Sequence, residues 1–199
     1  MPNHRIEPLY LAAAVTGYTF VVFASAFSWI AFMPQLPTFQ VTSVTVTSLT
    51  TNTRSQLTAM FNVEGVLNNP NYVISIWYKS LNISLWFNHH IISSYPVEPL
   101  PFSTGPETLT PVRARFPVLN ANLPTGVAKE IAAQRRFDGW VEFFITLEAL
   151  YRFKFGAVGT NVRVLTLFCY PLQIAFPLSD DVKNNDTGRL VTTSNCYAV

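Results

Sequence analysis

Between Glu7 and Arg54 the chain carries no charged residue, and the first half of that gap reads LYLAAAVTGYTFVVFASAFSWIAFM. No other feature constrains the fold as strongly, because a helix in a soluble core rarely runs so far without a charge. At about 1.5 Å per helical residue, Leu9 to Met33 can cross a hydrocarbon core of roughly 30 Å with some tilt. Its polar members, Thr16, Thr19, Ser25 and Ser28, are small, and a helical hydroxyl can bond a carbonyl one turn back. Tyr10 and Trp29 lie towards the two ends, where amphipathic rings favour the headgroup layer. The segment reads as a transmembrane helix.

Two forms of membrane engagement compete. A cleaved signal peptide needs a basic start, a short apolar stretch and a small-x-small exit. Arg5 and Ala24-Ser25-Ala26 supply both ends, so residues 1–26 could be removed to release a soluble, secreted form. Cleavage there would leave FSWIAFM as an apolar new terminus, and the apolar run continues to Met33 before Pro34 and Pro37 stop it. That length suits an uncleaved signal-anchor. The expected layout is residues 1–8 as a short cytosolic tail, 9–33 as the span and 34–199 as one external domain. Arg5 and the amino terminus precede the span, and no Lys or Arg follows it until Arg54, which orients the N-terminus to the cytosol. Ala12, Gly17, Ala24 and Ser28 are small enough to permit lateral helix packing, so a homo- or hetero-oligomer or a membrane co-receptor fits the span.

The remainder suits a single domain with a sizeable core. The whole chain's 13 Lys and Arg against 11 Asp and Glu give no electrostatic footprint for nucleic acid. Periodicity after residue 54 is mostly two. Leu57, Ala59, Phe61, Val63 and Leu67 form one apolar phase; after a turn at Asn69-Pro70-Asn71, Tyr72, Ile74, Ile76 and Tyr78 form another. Leu81, Ile83, Leu85 and Phe87 follow, and later Val141, Phe143, Ile145, Leu147, Ala149, Tyr151 and Phe153. Each run sets one face against a core and one towards water, as antiparallel sheets do. TSVTVTSLTTNT (42–53) reads as a further strand, while Asn88-His89-His90 and Gly156 to Asn161 fall where hairpins turn. Val127, Ala128, Ile131 and Ala132 are helically spaced after Pro124, predicting a short helix up to about Arg136. The fold class is an all-β antiparallel sandwich with one short helix behind an N-terminal span.

The residues offer no catalytic, metal or cofactor constellation. His89 and His90 are adjacent, and neighbouring strand residues point to opposite faces, so an exposed hairpin tip is the better reading. Gly156-Ala157-Val158-Gly159 lacks the third glycine and the strand-to-helix setting of a dinucleotide loop. No G-x-S-x-G supports a Ser-His-acid triad. Asp180 and Asp181 precede Lys183 in a loop-like segment, and Arg113, Arg115, Arg135 and Arg136 form only a modest basic set. Two sequons, at Asn82 and Asn185, would carry glycan if the domain is external. Cys169 and Cys196 permit one disulfide outside the cell, worth about 3 kcal/mol on a chain-entropy basis, and free thiols inside it. Trp77 and Trp86 occupy polar phases of successive strand runs. Side by side they could stack on a sugar or anchor a partner; the plainer reading is that Pro-rich residues 96–117 fold over them.

The ordered set of features resembles a known family. The apolar span, the Thr/Val-rich first strand, the Asn69-Pro70-Asn71 turn, YVISIWY, a long strand with Cys169 and a closing Cys196-x-x-Val199 follow one another. In that order they are similar to the plant late-embryogenesis-abundant type-2 domain family, in particular its harpin-induced-like, disease-resistance-associated membrane members. The resemblance implies a fibronectin-type-III-like sandwich, plasma-membrane residence and a defence or stress role, with no catalytic residues. The functional expectation is a non-enzymatic single-pass surface protein whose external domain binds a partner, wall component or lipid. The alternative is a structural protectant of membrane or wall during dehydration.

Overall fold

Residues 7–51, 56–124, 126–177 and 187–198 are described by the computed structural model of the chain. The apolar run forms one helix, α1 (Glu7–Phe32), exposed along its whole length from Tyr10 to Ser28. Thr16 and Ser25 donate their hydroxyls to the carbonyls of Ala12 and Val21 at 2.9 and 2.8 Å, so neither needs water. A helix apolar all round and exposed from Tyr10 to Ser28 has the property a membrane span requires. Among the described residues it is the one helix long and apolar enough to cross a membrane, a test that a signal sequence also passes.

The period-two runs become long strands: β1 (Thr38–Thr51), β2 (Gln56–Asn68), β3 (Ser75–Phe87), β4 (His90–Pro96), β5 (Phe102–Thr104) and β6 (Leu109–Asn122). The helically spaced residues form α2 (Val127–Phe137), which buries Val127, Ala128 and Ile131. The rest are β7 (Trp140–Phe155), β8 (Val158–Gly159), β9 (Arg163–Ala175), β10 (Gly188–Leu190) and β11 (Ser194–Ala198). Every pairing is antiparallel, in the order β4-β3-β7-β9-β10-β1-β2-β6, with β11 bridging β1 and β9. This strip folds over on itself. Phe61 of β2 meets Phe143 of β7 edge-on at 5.3 Å across the interior, and the two outermost strands approach where Tyr95 meets Phe116 at 6.2 Å. The result is the expected β-sandwich, its core filled by the apolar phases of both layers.

Two local readings need correction. Tyr72 is not part of an apolar phase; it is exposed in the loop before β3. The runs around Ile76 and Leu85 are not two strands but one, because a bulge between Tyr78 and Ser80 advances the register by a residue and keeps both phases on the core. Trp77 and Trp86 therefore stand near opposite ends of β3, about 25–30 Å apart, not side by side.

The strand directions define two ends. Asn69-Pro70-Asn71, the β7–β8 turn and the linker after α1 share one end; α2 and the β3–β4 turn share the other. The Asn turn is bolted to the linker. Asn71 accepts the Gln35 N–H on Oδ1 at 2.7 Å and donates Nδ2 to the Gln35 carbonyl at 2.9 Å. Asn69, fully buried, donates Nδ2 to the carbonyls of Ile74 and Gly105 at 2.8 and 2.7 Å and accepts from Asn71. The two asparagines thus satisfy backbone groups that a loop would otherwise leave to water.

Candidate functional site: an aromatic cleft at the helix-distal end

The site begins with a proline in a central strand. Pro171 has no N–H to give the ladder, so β9 bulges: Phe143 pairs with Leu172 and Ile145 with Cys169, leaving Tyr170 and Pro171 opposite Phe144. Cys169 and Leu172 face the core while Tyr170 and Pro171 both face outwards. The Tyr170 ring meets Phe144 edge-on at 6.5 Å, and its hydroxyl donates to Glu142 Oε1 at 2.6 Å. That bond to a carboxylate holds the Tyr170 phenol above its ordinary range. Gln173 donates to the other oxygen, Glu142 Oε2, at 3.4 Å.

Neighbouring strands extend the surface. Phe144 stacks on Trp86 at 5.5 Å, and Trp86 donates its indole N–H to Thr146 Oγ1 at 2.9 Å. On the other flank, a Cys169–Cys196 disulfide joins directly opposed residues, Cα to Cα 4.1 Å, and seats β11 beside β9. The next pair, Phe168 and Tyr197, stack at 6.4 Å. The β3–β4 turn closes the end: Asn88 takes a positive φ of 51°, which asparagine tolerates, and donates to Glu130 of α2 at 3.0 Å. Together Asn88, His89, Glu142, Phe144, Tyr170 and Tyr197 line an open cleft of about 510 Å³. Rings offer faces to apolar C–H surfaces, and the carboxylate and amide offer hydrogen bonds, so the chemistry suits a polyhydroxylated ligand.

The sequence-predicted residues divide. Trp86 and the two cysteines belong to this cleft or its support. Trp77 lies at the other end, half-buried beneath the Arg152 guanidinium at 4.4 Å, with Lys154 at 5.9 Å. Residues 96–117 supply β5, which pairs with β3 at Trp77 in the plane of the sheet, and most of β6, which pairs with β2. His89 and His90 are exposed at the hairpin, and Asn82 is exposed on the outer face of β3. Asn185, Asp180, Asp181 and Lys183 lie outside the described residues. Gly156 and Ala157 form the β7–β8 turn, and Val158 and Gly159 are β8 itself. Of the basic set, Arg113 pairs with Glu64 at 3.1 Å on the surface and Arg135 donates to the Leu49 carbonyl at 2.5 Å; the four fall in two pairs, Arg113 and Arg115 on β6 and Arg135 and Arg136 on α2. Among the described residues no three His, Cys, Asp or Glu gather as metal ligands. Sequence reasoning missed Glu142, Phe144, Tyr170 and Tyr197; a proline inside a long apolar strand was the signal that a bulge would expose its neighbour.

In sequence, the chain is similar to NDR1/HIN1-like protein 6 of Arabidopsis thaliana, at 27% identity over 129 residues, 64% of this chain and 50% of that protein. It thus spans about half the length of the curated relative it matches. No family model matches the sequence. Among solved structures, a protein from Archaeoglobus fulgidus aligns over 70% of this chain and 99% of its own, at 14% identity and a TM-score of 0.36, a likeness too distant to bear on fold or function. The late-embryogenesis-abundant part of the resemblance rests on the residues alone, while the similarity to a curated NDR1/HIN1-like relative supports its harpin-induced-like part.

Proposed function

We propose that this chain is a non-enzymatic, single-pass plasma-membrane protein, its N-terminus cytosolic and residues 34–199 external, that binds cell-wall carbohydrate in the aromatic cleft during plant defence or stress. The defence context comes from the NDR1/HIN1-like relative. The cleft is the observation that carries the binding role: Phe144, Tyr170 and Tyr197 line it with Glu142, Phe144 is backed by the Trp86 ring, and the two Glu142 oxygens keep acceptor capacity beyond their bonds to Tyr170 and Gln173. Glycoside hydrolysis ordinarily takes two carboxylates flanking the bond, and the carboxylate lining this cleft is Glu142, which favours binding over cleavage.

Isothermal titration of the full chain in detergent micelles or nanodiscs with β-linked gluco-oligosaccharides and pectic oligogalacturonides tests this. Wild-type binding should fall roughly tenfold, about 1.4 kcal/mol, in F144A or E142Q with the fold retained. If neither sugar class binds the wild type, the carbohydrate reading falls and the dehydration-protectant reading replaces it.

A further inference from the structure

We infer that the helix-proximal end of the sandwich is a second membrane contact, seating the domain on the phospholipid surface that α1 enters. This rests on the anchor reading of α1. The tether sets the scale: α1 ends at Phe32, and Gln35 is already clamped by Asn71. Three residues span at most about 10 Å. The headgroup layer on one side of a bilayer is roughly 5–8 Å thick, so a domain held this closely lies against it or within a few ångströms of it.

What that end exposes fits the contact. The polar atoms of Asn69 and Asn71 are turned inwards to backbone groups, so the turn presents Tyr72, 67% exposed, and Val73 instead. The β7–β8 hairpin beside it presents Val158, 71% exposed, and Val162 follows on the loop to β9. Between them Pro34, Ile74, Phe153 and the hairpin enclose an apolar notch of about 330 Å³. A surface of Tyr and Val at a loop tip is poorly placed for water and well placed for the headgroup–acyl boundary.

The charges around it have the matching sign. Arg152 and Lys154 lie over the Trp77 ring, and Arg163 stands over Phe153 at 5.6 Å. Glu107, whose backbone N–H bonds the Asn71 carbonyl at 3.0 Å, puts one carboxylate at the same end. A ring of cations beside an interfacial tryptophan is suited to lipid phosphates. The contact would fix the domain upright, with the aromatic cleft about 40 Å further out along β7.

The test uses the full chain in phosphatidylcholine vesicles, with a small fluorophore on one introduced cysteine at a time: Y72C, V158C, L119C or V21C. Both native cysteines are paired, so the label reports the new site. Leu119 is an exposed apolar control on β6, towards the far end. Lipids spin-labelled at the headgroup or shallow acyl positions should quench Y72C and V158C several-fold more than L119C. Deep spin labels should quench V21C. If V21C is quenched while Y72C and V158C match L119C, the inference is overturned and the anchor stands. Shielding of Y72C and V158C from aqueous iodide without lipid quenching would overturn it in favour of a protein contact. An unquenched V21C removes the anchor reading and the inference with it.

Discussion

Asn69 shows how much a single buried side chain can decide. Its amide nitrogen serves two close carbonyls, at 2.8 and 2.7 Å, and a third, that of Thr104, at 3.4 Å, and its oxygen serves Asn71. Asp is nearly the same shape but cannot donate, so N69D would set a carboxylate against two carbonyl oxygens with no exposure to water. The expected cost is on the order of 3 kcal/mol, lowering the thermal midpoint by roughly 10 °C. A midpoint within a degree or two of wild type, followed by circular dichroism, would show that the turn is not held this way. Asn-Pro-Asn is legible in the sequence as a turn because Pro and Asn have local backbone preferences. Its partners are not, since Gln35 and Gly105 are distant in the chain. Gly65 makes the same point from the other side: a Cβ there would collide with the Phe39 ring and the Gln40 carbonyl, a contact no local pattern announces.

At the scale of elements, β9 and β11 carry the cleft. Pro171 forces the bulge that turns Tyr170 outwards, and the disulfide seats Tyr197 against Phe168. β11 is short, so much of its hold on β9 comes through that link. The Cys169–Cys196 loop is of a length at which a disulfide contributes about 3 kcal/mol by restricting the unfolded chain. Reduction, or C196A with C169A, should therefore lower the denaturant midpoint and weaken oligosaccharide binding together. Loss of stability with binding unchanged would mean that Tyr197 takes no part. The alternation of β2, β3 and β7 was plain in the sequence because one face of each is wet. The bulges at Tyr78/Ser80 and Phe143/Ile145 were not, because a one-residue slip is set by cross-strand pairing.

For the whole molecule, β3 reaches from the helix-proximal end to the end that carries the cleft, with a tryptophan towards each. Trp77 sits with Arg152 and Lys154 at the helix-proximal end, and Trp86 stacks on Phe144, which lines the cleft. Their substitutions should separate: W86A should weaken sugar binding and leave lipid quenching at V158C intact, and W77A should do the reverse. Equal effects of both changes on both readouts would mean that the ends are not independent.

The sequence by itself determined the apolar span, the strand faces, the short helix and the turn residues. Each is written in neighbours a few positions apart, through missing charge, a period of two or 3.6, or a residue's own backbone preference. Only the tertiary structure decided which side chains meet. Alternation states that Trp86 faces away from the core, but not that Phe144 of β7 lies between Trp86 of β3 and Tyr170 of β9. Strand order and register arise from how two apolar faces close on one another, and residues far apart in the chain leave no periodic trace of that closure.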